Sequence, residues 1–199
     1  MSWAGGSRWQ SINVTAWSLS DLAVGDFDGD GNDDLFLATG SQWFRAPGGK
    51  NWVPFAVSGF RRKDLAFGHF TSGDAITDVL GSVGGQYQIV ANGGTKWKPI
   101  GPARTSTLAG TVVGDFDGDG MSDVARIGIA SLQPAWQYSS GARSSRKTLR
   151  YASEPITGKP IGLFDGDARS DVMLWAGLYF EYAPAGRNPV QRLSRQNMR

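Results

Sequence analysis

The sequence predicts an all-β fold, a β-propeller built from four-stranded antiparallel blades. An acidic loop recurs along the chain, beginning at Gly25, Gly68, Gly114 and Gly162, at intervals of 43, 46 and 48 residues. Self-similarity at such a period is typical of propellers and other repeat arrays. Between the loops, short β-branched or aromatic runs are separated by Gly, Asn, Asp and Pro, a pattern that indicates many short strands rather than helices.

Each repeat is predicted to contain four strands in the same order. The first strand ends at the glycine that opens the acidic loop, and the second strand follows the loop. The second strands are predicted at residues 34–39, 78–83, 123–129 and 171–176. The third strands carry an aromatic residue near their start: Trp43, Tyr87, Trp136 and Tyr179. The fourth follows a Gly-rich turn, and four strands in ~45 residues is the size of a propeller blade.

The repeats divide a single domain of residues 1–199 into blades. Four complete blades are predicted at residues 22–64, 65–110, 111–158 and 159–199. Residues 1–21 are predicted to contain half a blade, because residues 5–9 repeat the Gly-rich turn, giving about four and a half blades. Since the last blade is already complete, we expect either a segment of a longer propeller, which we favour, or self-assembly of several copies into a ring.

The first acidic loop, GDFDGDGNDD at residues 25–34, has the chemistry of a site for a hard cation. Its predicted ligands are Asp26, Asp28, Asp30, the main-chain carbonyl of Asn32, and Asp34. Calcium takes six to eight oxygen ligands, which alternating carboxylates in a tight loop supply. Gly29 and Gly31 allow the positive φ angles that such a turn requires.

The third loop, GDFDGDGMSD at residues 114–123, repeats the pattern. Its predicted ligands are Asp115, Asp117, Asp119, the carbonyl of Met121, and Asp123. A thioether is a poor calcium ligand, so the residue at the Met121 position is expected to act through its backbone. An EF-hand is excluded, because the twelfth loop position, a Glu in EF-hands, is Leu37 in one loop and Arg126 in the other.

The remaining two loops are less complete. The fourth retains Asp165, Asp167 and Asp171, with the carbonyl of Arg169 completing the candidate set. Leu163 occupies its first ligand position, so a third calcium site is left open and would be weaker. The second retains only Asp74 and Asp78, and we interpret it as a structural turn without metal. Two calcium sites are therefore predicted, with a third possible.

The composition of the chain excludes several classes of site. The chain has no cysteine and a single histidine, His69, which excludes disulfides, thiolate zinc sites and a cysteine nucleophile. It has no run of 18 apolar residues, so membrane insertion is not expected. The first residues lack the pattern of a signal peptide.

The pattern D-x-D-G-D-G-x-x-D between strands, preceded by Gly and Phe, resembles the FG-GAP or VCBS repeat of the integrin α-subunit type. The match is highly specific at residues 25–34 and 114–123 and looser in the other two repeats. The resemblance implies a calcium-stabilised β-propeller, commonly extracellular or secreted. It also implies adhesion, or lectin-like binding of carbohydrate or protein partners, often as an accessory module of a larger protein.

The sequence favours a non-catalytic binding module for a glycan or protein partner. On the face opposite the acidic loops, an aromatic and cations form the candidate ligand site: Phe60, Arg61, Arg62, Lys63 and Arg104. The alternative is an accessory or catalytic domain of a carbohydrate-active enzyme, in which Glu154 and Glu181 would act as a carboxylate pair. Nucleic-acid binding is not favoured, because basic segments alone indicate it weakly.

Overall fold

The computed structural model describes residues 11–91, 93–103 and 105–193, and the regular structure in these residues is strands with short 3-10 turns. The first blade contains β1 (Leu22–Gly25), β2 (Asp34–Ala38), β3 (Gln42–Ala46) and β4 (Val53–Val57). The second contains β5 (Ala66–Gly68), β6 (Asp78–Val83), β7 (Gln86–Val90) and β8 (Lys98–Pro102). The third contains β9 (Thr111–Gly114), β10 (Asp123–Ala130), β11 (Gln133–Ser139) and β12 (Lys147–Tyr151). The fourth contains β13 (Ile161–Gly162), β14 (Asp171–Trp175), β15 (Phe180–Ala183) and β16 (Gln191–Arg192).

Each blade is a four-stranded antiparallel sheet whose strands neighbour one another in chain order. Strand β9 contacts both β5 and β13, so the inner strands lie side by side around a common axis. The predicted all-β propeller is confirmed. The described residues form four blades rather than four and a half: residues 11–21 contain no strand, and the rest of the predicted half blade lies outside the described residues.

Hydrophobic cores lie between adjacent blades. The first joins Phe27, Phe36 and Trp43 of the first blade to Val79 and Val90 of the second. Similar clusters join the second blade to the third and the third to the fourth. Burial of such aromatic side chains supplies much of the stability of a small β-domain.

The repeat aromatics of the third strands pack inside these cores. Trp43, Tyr87 and Trp136 are 0%, 1% and 0% exposed. Their rings therefore pack in the core and are not available on the surface for a sugar ring to stack on. In the fourth blade the equivalent residue is Phe180 and not Tyr179. The strand register shows this equivalence. In the first blade Trp43 pairs with Ala38, four residues after the buried Asp34, and in the fourth blade Phe180 pairs with Trp175, four residues after the buried Asp171.

A repeated backbone hydrogen bond also joins each blade to the next. The donors are Thr77, Ser122 and Ser170, and the acceptors are the carbonyls of Asp26, His69 and Asp115, at 2.6, 2.7 and 2.5 Å. Glycine is required beside it, since a Cβ atom on Gly25 would lie only 2.6 Å from Oγ1 of Thr77. The glycine that opens each loop is thus explained by the close approach of the next blade as well as by the loop itself.

Candidate functional site

Three of the four loops bring carboxylates together. In each group one oxygen per residue lies within 4.8 Å of the others. The groups are Asp26, Asp28 and Asp34; Asp115, Asp117 and Asp123; and Asp165, Asp167 and Asp171. Asp30 and Asp119, which the sequence also predicts as ligands, each accept a hydrogen bond at 2.8 Å from the backbone N–H two residues further along the loop.

The first ligand position organises its loop. The carboxylate of Asp26 accepts backbone hydrogen bonds from Gly29 at 2.6 Å and from Gly31 at 2.9 Å. These glycines have φ angles of 80° and 83°, in the left-handed region that favours glycine. Burial alone would raise the pKa of Asp26, but the backbone N–H groups of the loop outweigh it and hold the pKa below its usual value. The carboxylate is therefore charged at neutral pH.

The last acidic position of every loop is a buried clamp, occupied by Asp34, Asp78, Asp123 and Asp171. In the third blade, Asp123 accepts hydrogen bonds from the backbone N–H of Phe116 at 2.8 Å and from that of Gly141 at 2.9 Å. It thereby ties the acidic loop to the turn between the third and fourth strands. The first and fourth blades repeat both bonds.

Sequence reasoning missed this clamp, because it treated the position only as a metal ligand. The second blade contains the signal that could have found it. That loop retains only Asp74 besides Asp78 and forms no group of three carboxylates among the described residues, yet Asp78 accepts hydrogen bonds from Phe70 N at 2.8 Å and Thr71 Oγ1 at 3.0 Å. A buried carboxylate in a loop without such a group indicates a structural role.

The negative charges in each group act on one another. The pKa of Asp123 is raised to about 7, mainly by burial and also by the neighbouring carboxylates of Asp117 and Asp115, while the two backbone hydrogen bonds act in the opposite direction. The pKa values of Asp34 and Asp171 are also raised, with burial as the largest cause. A cation bound between these carboxylates would reverse this shift.

The residues fit a hard divalent cation. Among the described residues, the buried Oδ1 atom of Asp117 has no hydrogen-bond donor, and the Nζ atom of Lys147 lies 4.0 Å from its Oδ2 atom. In the first loop the corresponding carboxylate, Asp28, lies 3.5 Å from Nη2 of Arg45. A buried carboxylate oxygen without a partner is costly, and a metal ion would satisfy it with the oxygen chemistry that calcium prefers.

The residues predicted to act through their carbonyls direct their side chains elsewhere. The Sδ atom of Met121 lies 3.9 Å from Nη1 of Arg143. The Nδ2 atom of Asn32 donates to Asp30 at 3.2 Å. The side chain of Arg169 packs against Gly118 of the neighbouring loop, where its Cγ atom lies 3.1 Å from the position of a Cβ atom. Carbonyl coordination by these three residues remains a prediction.

A cavity of about 520 Å³ runs along the inner strands, from the opposite face, where Arg62 and Lys63 line it, to Val24 and Val113, directly before the loop glycines. Arg62 is fixed in its wall. Its Nε atom donates to the carbonyl of Leu22 at 3.2 Å, and its guanidinium lies 4.9 Å from the centre of the Phe67 ring. Burial lowers the pKa of Arg62. Lys63 is exposed at the same border.

The other three predicted ligand-binding residues do not line this cavity or are not described. Phe60 packs against Trp97, with ring centres 5.4 Å apart, and its carbonyl accepts the Nε1–H of Trp43. Arg61 is exposed and covers Gly40. Arg104 lies outside the described residues.

The two glutamates considered as a catalytic pair lie in different blades. Glu154 follows β12, where its Oε1 atom is 3.9 Å from Nη2 of Arg150 and its carbonyl accepts the indole N–H of Trp136. Glu181 lies on β15 of the fourth blade. Glu154 is thus engaged in holding the third blade together.

No protein-family model and no curated protein sequence matches the chain. Among solved structures, the chain is similar to a lectin from Agrocybe aegerita that specifically recognises non-reducing terminal N-acetylglucosamine. The TM-score is 0.61 and the sequence identity 14%, over 85% of this chain and 51% of that chain. The chain therefore spans about half the length of the structure that it matches. At this identity the likeness shows the propeller fold. None of the described residues belongs to a helix long and apolar enough to cross a membrane.

Proposed function

We propose that the chain is a calcium-stabilised, non-catalytic module that binds a glycan. The observation that carries the proposal is the separation of two sites on the propeller. The carboxylate groups lie in the loops that follow the inner strands, whereas the cations of the cavity, Arg62 and Lys63, lie at the end where those strands begin. Metal ions in the loops would hold the blades in place and leave the opposite face free for a ligand.

Calcium is proposed for the first and third loops. Each of these loops has an aspartate at its first position whose carboxylate is fixed by loop N–H groups, as for Asp26 and Asp115. The fourth loop has Leu163 there, so its site would be weaker. An extracellular or secreted setting suits such sites, since calcium-binding modules of extracellular proteins work at roughly 10⁻⁴–10⁻³ M.

The cavity suits a polar ligand of small size. Pockets of roughly 300–1,000 Å³ with a few fixed polar groups are typical small-molecule sites. Arg62 supplies a preorganised cation, since its side chain is already hydrogen-bonded and packed on Phe67. Lys63 adds a mobile donor at the rim. Sugar hydroxyls and acidic sugars both accept hydrogen bonds from such groups, and the likeness to a lectin favours a glycan over a protein partner.

A glycan array probed with the calcium-loaded protein tests this proposal. We expect binding to a restricted set of glycans, weakened about tenfold by Lys63→Ala, the loss expected for one hydrogen bond to a charged group. Lys98→Ala is the matched control, since Lys98 is exposed on an outer strand away from the cavity. Absence of glycan binding by the folded protein, or equal losses in both variants, would contradict the proposal.

A further inference from the structure

The lateral face of the fourth blade differs in burial from the same face of the other three. Phe27, Phe70 and Phe116, two residues after their loop glycines, are fully buried beneath the next blade, whereas the equivalent Phe164 is only half-buried. Phe180 is 46% exposed, although its equivalents in the other blades are at most 1% exposed. The fourth blade thus has the aromatic groups of an inter-blade core, and the described residues provide no further blade to cover them.

A glycine marks the same face. At Gly25, Gly68 and Gly114 a Cβ atom would lie 2.6, 2.6 and 2.8 Å from the Thr or Ser side chain of the next blade. At Gly162 the three nearest atoms all belong to the Phe164 ring of its own blade, the first at 3.0 Å. At the fourth glycine the Phe164 ring therefore takes the place that the next blade's Thr or Ser side chain takes at the other three.

The first blade carries groups that match this face. Asp33 occupies the position of Ser122 and Ser170, immediately before the buried aspartate, and it is exposed. Those serines accept the backbone N–H of the preceding blade through Oγ, at 2.9 Å in both cases. The carboxylate of Asp33 could accept the same bond from a blade placed before the first, and its own N–H could donate to that blade's carbonyl at the position of Leu163.

An arginine occupies the same place at two of the three internal junctions, whereas at the first junction the carbonyl of Phe27 accepts from Arg45 of its own blade. Arg143 and Arg187, each directly after the 3-10 turn of its blade, donate to the carbonyls of Phe70 and Phe116 in the preceding blade, at 2.6 and 3.1 Å. Lys50 stands directly after the same turn in the first blade and is exposed. A blade placed before the first would offer it the corresponding carbonyl, which in this chain is that of Phe164.

We propose that the occupant of the fourth blade's open face is the first blade of a second copy of this chain. The pairing of Leu163 with Asp33 repeats the backbone bond of all three internal junctions, and that of Phe164 with Lys50 repeats the cation contact of the second and third junctions. Two such contacts join two copies of four blades into a closed ring of eight blades, within the range found for propellers. Closure by a two-fold axis leaves no further open edge.

The segment before the first blade fits this arrangement. The Cδ1 atom of Ile12 lies 2.9 Å from the position of a Cβ atom on Gly49, in the 3-10 turn of the first blade. Within the chain the corresponding contact is made by Gly101, in the fourth strand of the second blade, which lies beside the 3-10 turn of the third blade. Residues 11–14 therefore occupy the place of a fourth strand of a preceding blade. In the assembly they displace β16, which pairs with β15 only through Glu181–Arg192 and Tyr182–Gln191, as the outer strand of the docked blade.

Light scattering during gel filtration tests the proposal. We expect the mass of two chains of 21.3 kDa, reduced to that of one chain by Phe180→Glu. Leu132→Asp is the control, since Leu132 is an apolar residue that is 96% exposed on the turn between β10 and β11. A melting curve establishes that both variants are folded. A monomer at all concentrations would overturn the proposal and leave this face to blades of a longer chain. A ring of three or more copies, or a dimer unaffected by Phe180→Glu, would overturn it as well.

A disulfide cross-link tests the same contact without a variant that is designed to disrupt it. The chain contains no cysteine, so every disulfide in the double variant Asp33→Cys/Leu163→Cys involves these two positions, and the two single variants reveal any link between like positions. Oxidation is expected to link two chains at the proposed junction. A link within one chain would show that four blades close on themselves, and absence of any link would show that the two positions do not meet. Either result would overturn the proposal.

Discussion

Replacement of Asp78 by alanine separates the structural role of the buried aspartate from metal binding. Asp78 is fully buried and accepts hydrogen bonds from Phe70 N at 2.8 Å and Thr71 Oγ1 at 3.0 Å. Its loop has none of the three carboxylate groups found among the described residues. A buried donor left without a partner costs about 1–3 kcal/mol, and hydrogen bonds to a charged group contribute about 1.5–3 kcal/mol each.

These values predict a loss of about 3 kcal/mol in the free energy of unfolding for Asp78→Ala. For a chain of this size, that is a fall of about 6–12 °C in the melting temperature. The assay is thermal unfolding followed by circular dichroism, with calcium and with a chelator, and the fall is expected to be the same in both. Asp78→Asn is expected to recover part of the loss, because its amide oxygen still accepts a hydrogen bond.

Asp74→Ala is the control, since Asp74 is half-buried in the same loop and accepts one hydrogen bond, from Ile76 N at 3.1 Å. We expect this variant to lose less than about 1 kcal/mol. Equal melting temperatures for the two variants would refute the structural role of Asp78. If the melting temperature of Asp78→Ala fell only in the presence of calcium, the claim that this role does not depend on metal would be refuted.

Two further predictions concern pH and packing. The folded-state pKa of Asp123, about 7, lies above the ordinary value of 3.8, so protonation of this group stabilises the metal-free fold increasingly as the pH falls from about 7 to about 4. Melting curves in chelator should show that Asp123→Asn removes this contribution, and identical pH slopes would contradict it. Gly68→Ala places a Cβ atom 2.6 Å from Oγ of Ser122 and should cost about 1–3 kcal/mol by overpacking. Gly59→Ala, with no atom within 4 Å of the added Cβ, should change stability little, and similar urea midpoints for the two variants would refute the argument.

The strands that follow the loops were predictable because their signal is local. The predicted ranges 34–39 and 78–83 lie close to the observed Asp34–Ala38 and Asp78–Val83. In both, an apolar run begins directly after an aspartate that ends a turn. The third strand of the fourth blade was predicted less well. It begins at Phe180, and the sequence alone could not show whether Tyr179 or Phe180 is the residue equivalent to Trp43.

The residues of the carboxylate groups could be predicted from the sequence, but the separate structural role of the last aspartate in each loop could not. Alternating aspartates indicate a cation site, but sequence does not show that Asp34 and its equivalents also clamp a distant turn. That bond depends on Gly48, 14 residues further along the chain. The ligand face was harder still, because Arg62 and Phe60 are close in sequence. Only the fold shows that Arg62 borders the cavity and that Phe60 packs on Trp97.

Isothermal titration of the metal-free protein with calcium tests the central claim most directly, namely that the acidic loops are calcium sites that stabilise the propeller. The account predicts two sites per chain, one site after Asp28→Ala, and a gain of about 2.7 kcal/mol in stability at a hundredfold excess of calcium over the dissociation constant. A folded protein that takes up no calcium at millimolar concentration, or an Asp28→Ala variant that still binds two ions, would contradict it.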